Sequence, residues 1–260
     1  MIIDFHTHVF PDKLAAHAVE SLGAQVKLKP HTDGTLAFTE RLMKEQGVDN
    51  FVALNIAASP RTEKHVNDFA IEVNKTHYAF GSVHPDSPNA LSELDRLSAA
   101  GIKGVKFHNE YQNFFVDDEK AFPLYEKIEK LRLAAVFHGG YDPAFPPPLK
   151  ASPERCARVC AAFPKATFIF AHLGGLALPK QSVKHLKNTA AFIDTAYMAG
   201  AFTEKEAEYA IKEFGADRVL FGSDCPWDTP ENTLAFLKKL HLSQEETQAI
   251  LYKNALKILT

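Results

Sequence analysis

The segment IIDFHTH (2–8) opens the chain with an apolar run that closes on two histidines. Ile2, Ile3 and Phe5 read as a buried strand. Residues two apart on a strand share a face, so His6 and His8 project together from its C-terminal end. Two imidazoles so placed can share one metal ion. They can equally be a solvated His-Thr-His at a strand end, and the rest of the chain has to decide.

Seven more short apolar runs follow: NFVALNI (50–56), YAFGSV (78–83), GVKFH (104–108), AAVFHG (134–139), TFIFAH (167–172), AAFIDT (190–195) and RVLFGSD (218–224). Amphipathic stretches alternate with them, with helices expected at 35–47, 89–101, 121–131 and 205–215, several ending at a glycine. A last helical region over 243–259 has Ser243 as N-cap and Glu246 completing a capping box. Eight strands in βα alternation predict a closed (β/α)8 TIM barrel, one domain spanning 1–260. The competing arrangement is an open doubly wound sheet, but no GxGxxG follows the first strand. No linker rich in Gly, Ser or Pro divides the chain. The proline-rich PAFPPPLKASP (143–153) is expected as a stiff loop on the rim of the site.

The totals exclude several function classes. With 260 residues, 46% hydrophobic, 23% charged and a formal charge of −3, the chain gives no electrostatic reason to bind nucleic acid or an anionic membrane. Its apolar runs fall short of the ~20 residues of a membrane span, and no secretory signal pattern precedes Ile2. Cys156, Cys160 and Cys225 are too few for a disulfide framework and read as buried free thiols, so a cytoplasmic location is expected.

Polar residues collect where a barrel keeps its functional groups, at the C-terminal ends of the strands. His6 and His8 end strand one, His84 follows strand three, and His108, His138 and His172 end strands four, five and six. Asp224 ends strand eight. The other histidines (His17, His31, His65, His77, His185 and His241) read as solvated residues of helices and loops. In GVKFH, Val105 and Phe107 should face the helices, leaving Lys106 and His108 inside. An inward lysine needs a partner. It can neutralise an anionic substrate, form a carbamate bridging two metals, or snorkel to the mouth. Lys106, His108, His84, Tyr111 and Tyr141 suggest a small anionic, partly planar substrate, though each also has a packing role.

A divalent metal, zinc or manganese, explains the set. Three histidines and one aspartate from different strands can surround it and leave a position open for water, whose pKa the ion lowers. His172 can orient that water, and Asp224 is placed to accept and pass on a proton.

DFHTH, FHGG, FAHLGG and FGSDCPW, in this order, resemble the amidohydrolase superfamily over essentially the whole chain. The closer resemblance is to its amidohydrolase-related branch, which includes decarboxylases similar to aminocarboxymuconate semialdehyde decarboxylase. The resemblance implies that His6, His8, His138 and Asp224 hold the metal, that Asp224 carries protons, and that His172 is the catalytic imidazole. GVKFHNEYQ (104–112) is similar to the GxKxHPxxQ stretch of hydrolase-like members, with Asn109 replacing the usual proline. Two other HxH-type folds fit less well. The polymerase-and-histidinol-phosphatase pattern closes with Asp-x-His, whereas Asp224 precedes Cys225 and Pro226. TatD-like nucleases carry a glutamate on strand four, where Lys106 and His108 stand.

The leading expectation is therefore a metal-dependent hydrolase of a small carboxylated ester, lactone or amide. The alternative is a nonoxidative decarboxylase of an aromatic or muconate-type acid. A non-catalytic binding protein is the third reading, and an intact metal and proton-transfer set argues against it. Assembly as a homodimer is left open.

Overall fold

A computed structural model describes residues 1–260. All eight expected strands form: β1 (Ile3–Thr7), β2 (Asn50–Leu54), β3 (Tyr78–Phe80), β4 (Gly104–Phe107), β5 (Ala134–Phe137), β6 (Thr167–Phe170), β7 (Phe192–Asp194) and β8 (Val219–Leu220). They make two parallel arcs, β1-β2-β3 and β4-β5-β6-β7-β8. Single parallel bridges join the arcs at both ends, Gly81 to Val105 and Thr7 to Cys225. At the first seam the Gly81 N–H donates to Gly104 O at 3.1 Å and the Lys106 N–H to Gly81 O at 2.8 Å. At the second, the Phe5 N–H reaches Phe221 O at 2.7 Å, the His8 N–H reaches Cys225 O at 2.7 Å, and the Asp224 N–H reaches His6 O at 2.8 Å. The ring is closed, which makes the chain a single-domain TIM barrel and excludes the open sheet.

Alternation along the strands sorts side chains into two layers. Phe5, Leu54, Phe80, Val136 and Ile169 fill the barrel together with Ala255 and Leu259 of the last helix. Val105, Phe107, Phe137 and Phe170 belong to the larger outer cluster, packed beneath the helices. β1 departs from strict alternation. Its register with β2 shifts between Asp4 and Thr7, and such a bulge re-aims side chains. Phe5 can therefore fill the interior while His6 and His8 both turn to the mouth.

The expected helices lie at Leu36–Glu45, Ala90–Ala99, Phe122–Leu131 and Glu204–Phe214. The Ser243–Glu246 capping box is present, but the helix it starts is not uniform: a π turn at Ala249–Lys253 separates Gln244–Gln248 from Asn254–Leu259. Within that turn the Ile250 carbonyl accepts the Phe221 N–H at 2.9 Å, tying the last helix to the end of β8. Cys156, Cys160 and Cys225 are free and buried. No helix is long and apolar enough to cross a membrane.

The paired glycines of FHGG and AHLGG have a steric cause. Gly140 and Leu176 bridge the loops after β5 and β6. Gly140 has φ +82°, and a Cβ there would overlap the Leu176 nitrogen and lie 2.6 Å from the Gly175 carbonyl carbon. Backbone cannot retreat as a side-chain tip can. Gly140→Ala should therefore lower unfolding free energy by about 2–3 kcal/mol. Urea titration reads this, and an unchanged midpoint would contradict the steric account.

Candidate metal centre

His6 Nε2 and His8 Nε2 each lie 3.3 Å from Asp224 Oδ1. The outer nitrogens are engaged: His6 Nδ1 lies 2.7 Å from Asp194 Oδ2, and His8 Nδ1 lies 2.9 Å from Leu54 O. A carbonyl or carboxylate oxygen accepts only, so Nδ1 carries the hydrogen and Nε2 offers its lone pair inward. Burial, aided by the charge on Lys106, holds His6 well below the usual imidazole range, in its neutral form. Burial opposes ionisation of Asp224, but contact with His8 and the neighbouring His6 and His172 outweigh it and keep the carboxyl below its usual range. One ligand atom from each of the three residues thus converges, all within 4.8 Å of one another. That donor set fits a divalent cation.

Three backbone devices hold the trio. Asp224 has φ 72° and His172 φ 60°, left-handed values that turn these side chains away from the ladder. Asp4 Oδ1 accepts the His6 N–H at 3.1 Å and the Ser223 N–H at 2.9 Å, fastening β1 to the loop that carries Asp224. Its carboxyl is pushed up to about 7 by burial. Asp194 serves two histidines at once: Oδ2 meets His6, while Oδ1 accepts the His172 N–H at 2.8 Å.

His138, expected as a fourth ligand, stands in a second group with His108 and Asp142. Its ring stacks on His108 at 4.4 Å. His138 Nδ1 lies 3.1 Å from His172 Nε2, His138 Nε2 lies 3.2 Å from Tyr141 O, and His172 Nδ1 lies 2.9 Å from Ala196 O. Burial lowers both imidazoles to about 4, so both are neutral. Two neutral rings bring two ring protons to these three contacts. One contact therefore sets acceptor against acceptor in the chain that holds His138.

Lys106 points inward as its strand parity requires, 1% exposed, with Nζ 3.4 Å from His6 Nε2. Burial lowers its pKa to about 8 against the pull of Asp194 and Asp224. Nε2 of His108 meets Asp142 Oδ2 at 3.3 Å. Tyr111 lies edge-on to His108 at 4.4 Å, and Phe145 of the proline-rich loop lies edge-on to Tyr111 at 5.0 Å, so that loop does reach the mouth.

Other expected residues lie elsewhere. The His84 N–H donates to Glu63 Oε2 at 2.7 Å and His84 Nδ1 accepts the Asp86 N–H at 3.1 Å, a polar cluster apart from the metal trio. Tyr141 contributes its carbonyl, while its side chain is exposed. His77, expected to be solvated, stacks on Phe51 and contacts Glu40 Oε1 at 2.9 Å. Asp4, Asp142 and Asp194 were not anticipated. Asp194 had a readable signal, since it is the acidic residue of the seventh apolar run, at a strand's C-terminal end. Asp142 had only its place four residues beyond His138.

The amidohydrolase family model matches residues 3–260. No curated protein shows significant similarity to the chain. Among solved structures, an uncharacterised TIM-barrel protein from Bordetella bronchiseptica superposes with TM-score 0.82 at 21% identity, covering 99% of this chain and 98% of that one. A 5-carboxyvanillate decarboxylase from Sphingomonas paucimobilis gives 0.74 at 15%, with 99% and 98% covered. A dihydroxybenzoic acid decarboxylase from a Polaromonas species, with manganese and the inhibitor 2-nitroresorcinol bound, gives 0.74 at 17%, with 99% and 96% covered. These likenesses establish the shared fold. The family match over nearly the full chain establishes the lineage: this protein belongs to the amidohydrolase family.

Proposed function

We propose that the protein is a metal-dependent nonoxidative decarboxylase of a small planar carboxylic acid. The observation that carries this reading is Lys106. Its buried amine has one hydrogen-bond partner, a histidine, and forms no ion pair with any carboxylate. Asp194 and Asp224 pull on the amine only from beyond ion-pair distance, and a buried amine without a paired counter-ion is unfavourable. A substrate carboxylate supplies that counter-ion. Tyr111, His108 and Phe145 offer an aromatic wall for a planar body. The two decarboxylases of like fold support a lyase over the hydrolase suggested by GVKFHNEYQ.

A divalent ion held by His6, His8 and Asp224, with His138 as the fourth candidate, would supply a Lewis-acidic anchor for substrate oxygens; zinc and manganese both suit these donors. Lys106 pairs with the carboxylate and orients it. Ionised Asp224 takes the proton of a substrate hydroxyl. As the carbon–carboxylate bond breaks, carbon dioxide leaves, the electron pair stays on carbon, and Asp224 returns the proton there. Solvent then restores the hydroxyl proton. His172, its Nε2 3.1 Å from His138 Nδ1, keeps the pocket's imidazoles in register. Hydrolysis of a small carboxylated ester, lactone or amide is the second reading, favoured by the hydrolase-like form of GVKFHNEYQ (104–112).

Metal content tests the centre directly. The purified protein should carry a divalent ion, and the His6→Ala, His8→Ala double variant should lose it; equal content by elemental analysis removes the assignment. Carbon dioxide release from a panel of hydroxylated aromatic and muconate-type acids separates the two chemistries. Turnover of esters or lactones with no acid decarboxylated selects the hydrolase. In either reaction Asp224→Asn should reduce kcat by about two to four orders of magnitude, and near-normal turnover refutes its role. Lys106→Met should weaken use of anionic substrates by about 1.5–3 kcal/mol in kcat/KM while metal content is retained. Loss of metal in that variant would instead identify the lysine as part of the metal's own coordination.

A further inference from the structure

The ends of β4 and β5 carry a second set of donors at the barrel mouth. One ligand atom each from His108, His138 and Asp142 lies within 4.8 Å of the others, and all three side chains are buried. His108 Nε2 stands 3.3 Å from Asp142 Oδ2, and His138 Nε2 stands 3.2 Å from the Tyr141 carbonyl oxygen. Two ligands bound at about 2.1 Å and about 100° apart on one ion are separated by about 3.2 Å. Both pairs therefore have the spacing of neighbouring ligands on a metal.

Asp142 is aimed by its own loop. Its Oδ1 accepts the Ala144 N–H at 2.8 Å and its carbonyl accepts the Phe145 N–H at 3.0 Å, a tight turn that leaves Oδ2 for His108. Tyr111 packs edge-on to His108, and Phe145 edge-on to Tyr111, so aromatic rings shelter the group.

Counting protons leads to the same place by another route. Ala196 O can only accept, so His172 Nδ1 carries hydrogen and its Nε2 offers a lone pair to His138 Nδ1. His138 Nδ1 then donates, and its Nε2 turns a lone pair toward the Tyr141 carbonyl, acceptor against acceptor. Moving a hydrogen only transfers the conflict to another contact. A cation between His138 Nε2 and Tyr141 O converts the repulsion into two coordination bonds.

We propose that His108, His138, Asp142 and the Tyr141 carbonyl form a second divalent-cation site, distinct from the His6–His8–Asp224 trio. Two imidazoles, a carboxylate and a carbonyl suit zinc or manganese better than calcium or magnesium. His138, the fourth candidate for the first ion, is thereby assigned to the second. The site stands whichever reaction the trio performs. His108 Nδ1 has no hydrogen-bond partner, unlike the outer nitrogens of His6 and His8. An outer partner contributes about 10–100-fold to metal affinity, so the second ion should bind about tenfold or more weakly than the first.

Equilibrium dialysis of metal-free protein against rising zinc, with bound zinc read by elemental analysis, tests the site. The wild type should bind two equivalents in two steps. The His108→Ala, Asp142→Ala double variant and His138→Ala should each lose the weaker step and keep the tighter one, whose retention shows that the barrel has folded. Asp142→Asn keeps the side chain's volume and its bond to Ala144, and should weaken only the second step, by about tenfold or more. The His6→Ala, His8→Ala variant should lose the tighter step alone. A single equivalent in the wild type, two unaltered steps in the His108, Asp142 variant, or an unweakened second step in Asp142→Asn overturns the proposal. A tighter step weakened by His138→Ala would return that histidine to the trio and overturn it equally. None of these readouts requires turnover, so failure of the decarboxylase reading would show separately, as absent carbon dioxide release from protein that still binds two ions.

Discussion

The hydrogen bond from the Asp224 N–H to the His6 carbonyl is the contact on which the rest of the structure depends. It lies at the seam where the first strand meets the end of the eighth, so one bond both closes the barrel and brings the carboxylate to the two imidazoles. Neighbouring restraints secure it from both sides. Asp4 clasps the His6 and Ser223 amides, and the left-handed backbone at Asp224 turns its side chain inward. A strained residue persists only where its surroundings over-determine it, and here the closing seam does so.

The mouth of the barrel concentrates groups that are unfavourable to bury. His6, His108, His138, His172 and Lys106 are all buried, and burial is the largest cause depressing the proton affinity of each. Hydrophobic packing would tolerate none of them at this depth. What makes the arrangement stable is that most polar atoms find a partner, often a carbonyl at a strand end. Four buried side-chain atoms lack a hydrogen bond: Asp4 Oδ2, His108 Nδ1 and Asn109 Oδ1 at or beside strand ends, and Thr39 Oγ1 on an outer helix; the Ala196–His172–His138–Tyr141 chain is also one proton short. Most of these local conflicts gather where chemistry is proposed.

Legibility in the sequence followed regularity of backbone. β4 is an unbroken strand, so two-residue parity correctly placed Lys106 inside and Phe107 outside. Period-two reasoning also paired His6 with His8, but it could not foresee the bulge that admits Phe5 to the same interior. The capping box at Ser243 was readable because it is a local side-chain pattern, whereas the π turn seven residues on answers to a distant amide, that of Phe221. Asp142 lies in a loop, where no periodicity assigns a direction. His84 shows the converse: its place after β3 suggested the pocket, but Glu63, from the helix that precedes β3, captures its amide. The paired glycines were visible as motifs, yet their cause, one loop backbone lying on another, became clear only in three dimensions.

The seam also has a temporal meaning. Residues 4, 6 and 8 leave the ribosome long before Asp224, and the Ile250 carbonyl that ties down β8 follows later still. Contacts this far apart in the chain carry a larger loop-closure entropy than near-neighbour pairings do. The arc of the first three strands and the arc of the last five can each assemble from near-neighbour pairings, while the two histidines wait with their lone pairs unmatched. Occupancy of the trio is then possible only in a finished molecule. A cation bound there would act as a latch on the closed ring, adding stability that grows with the free ion concentration.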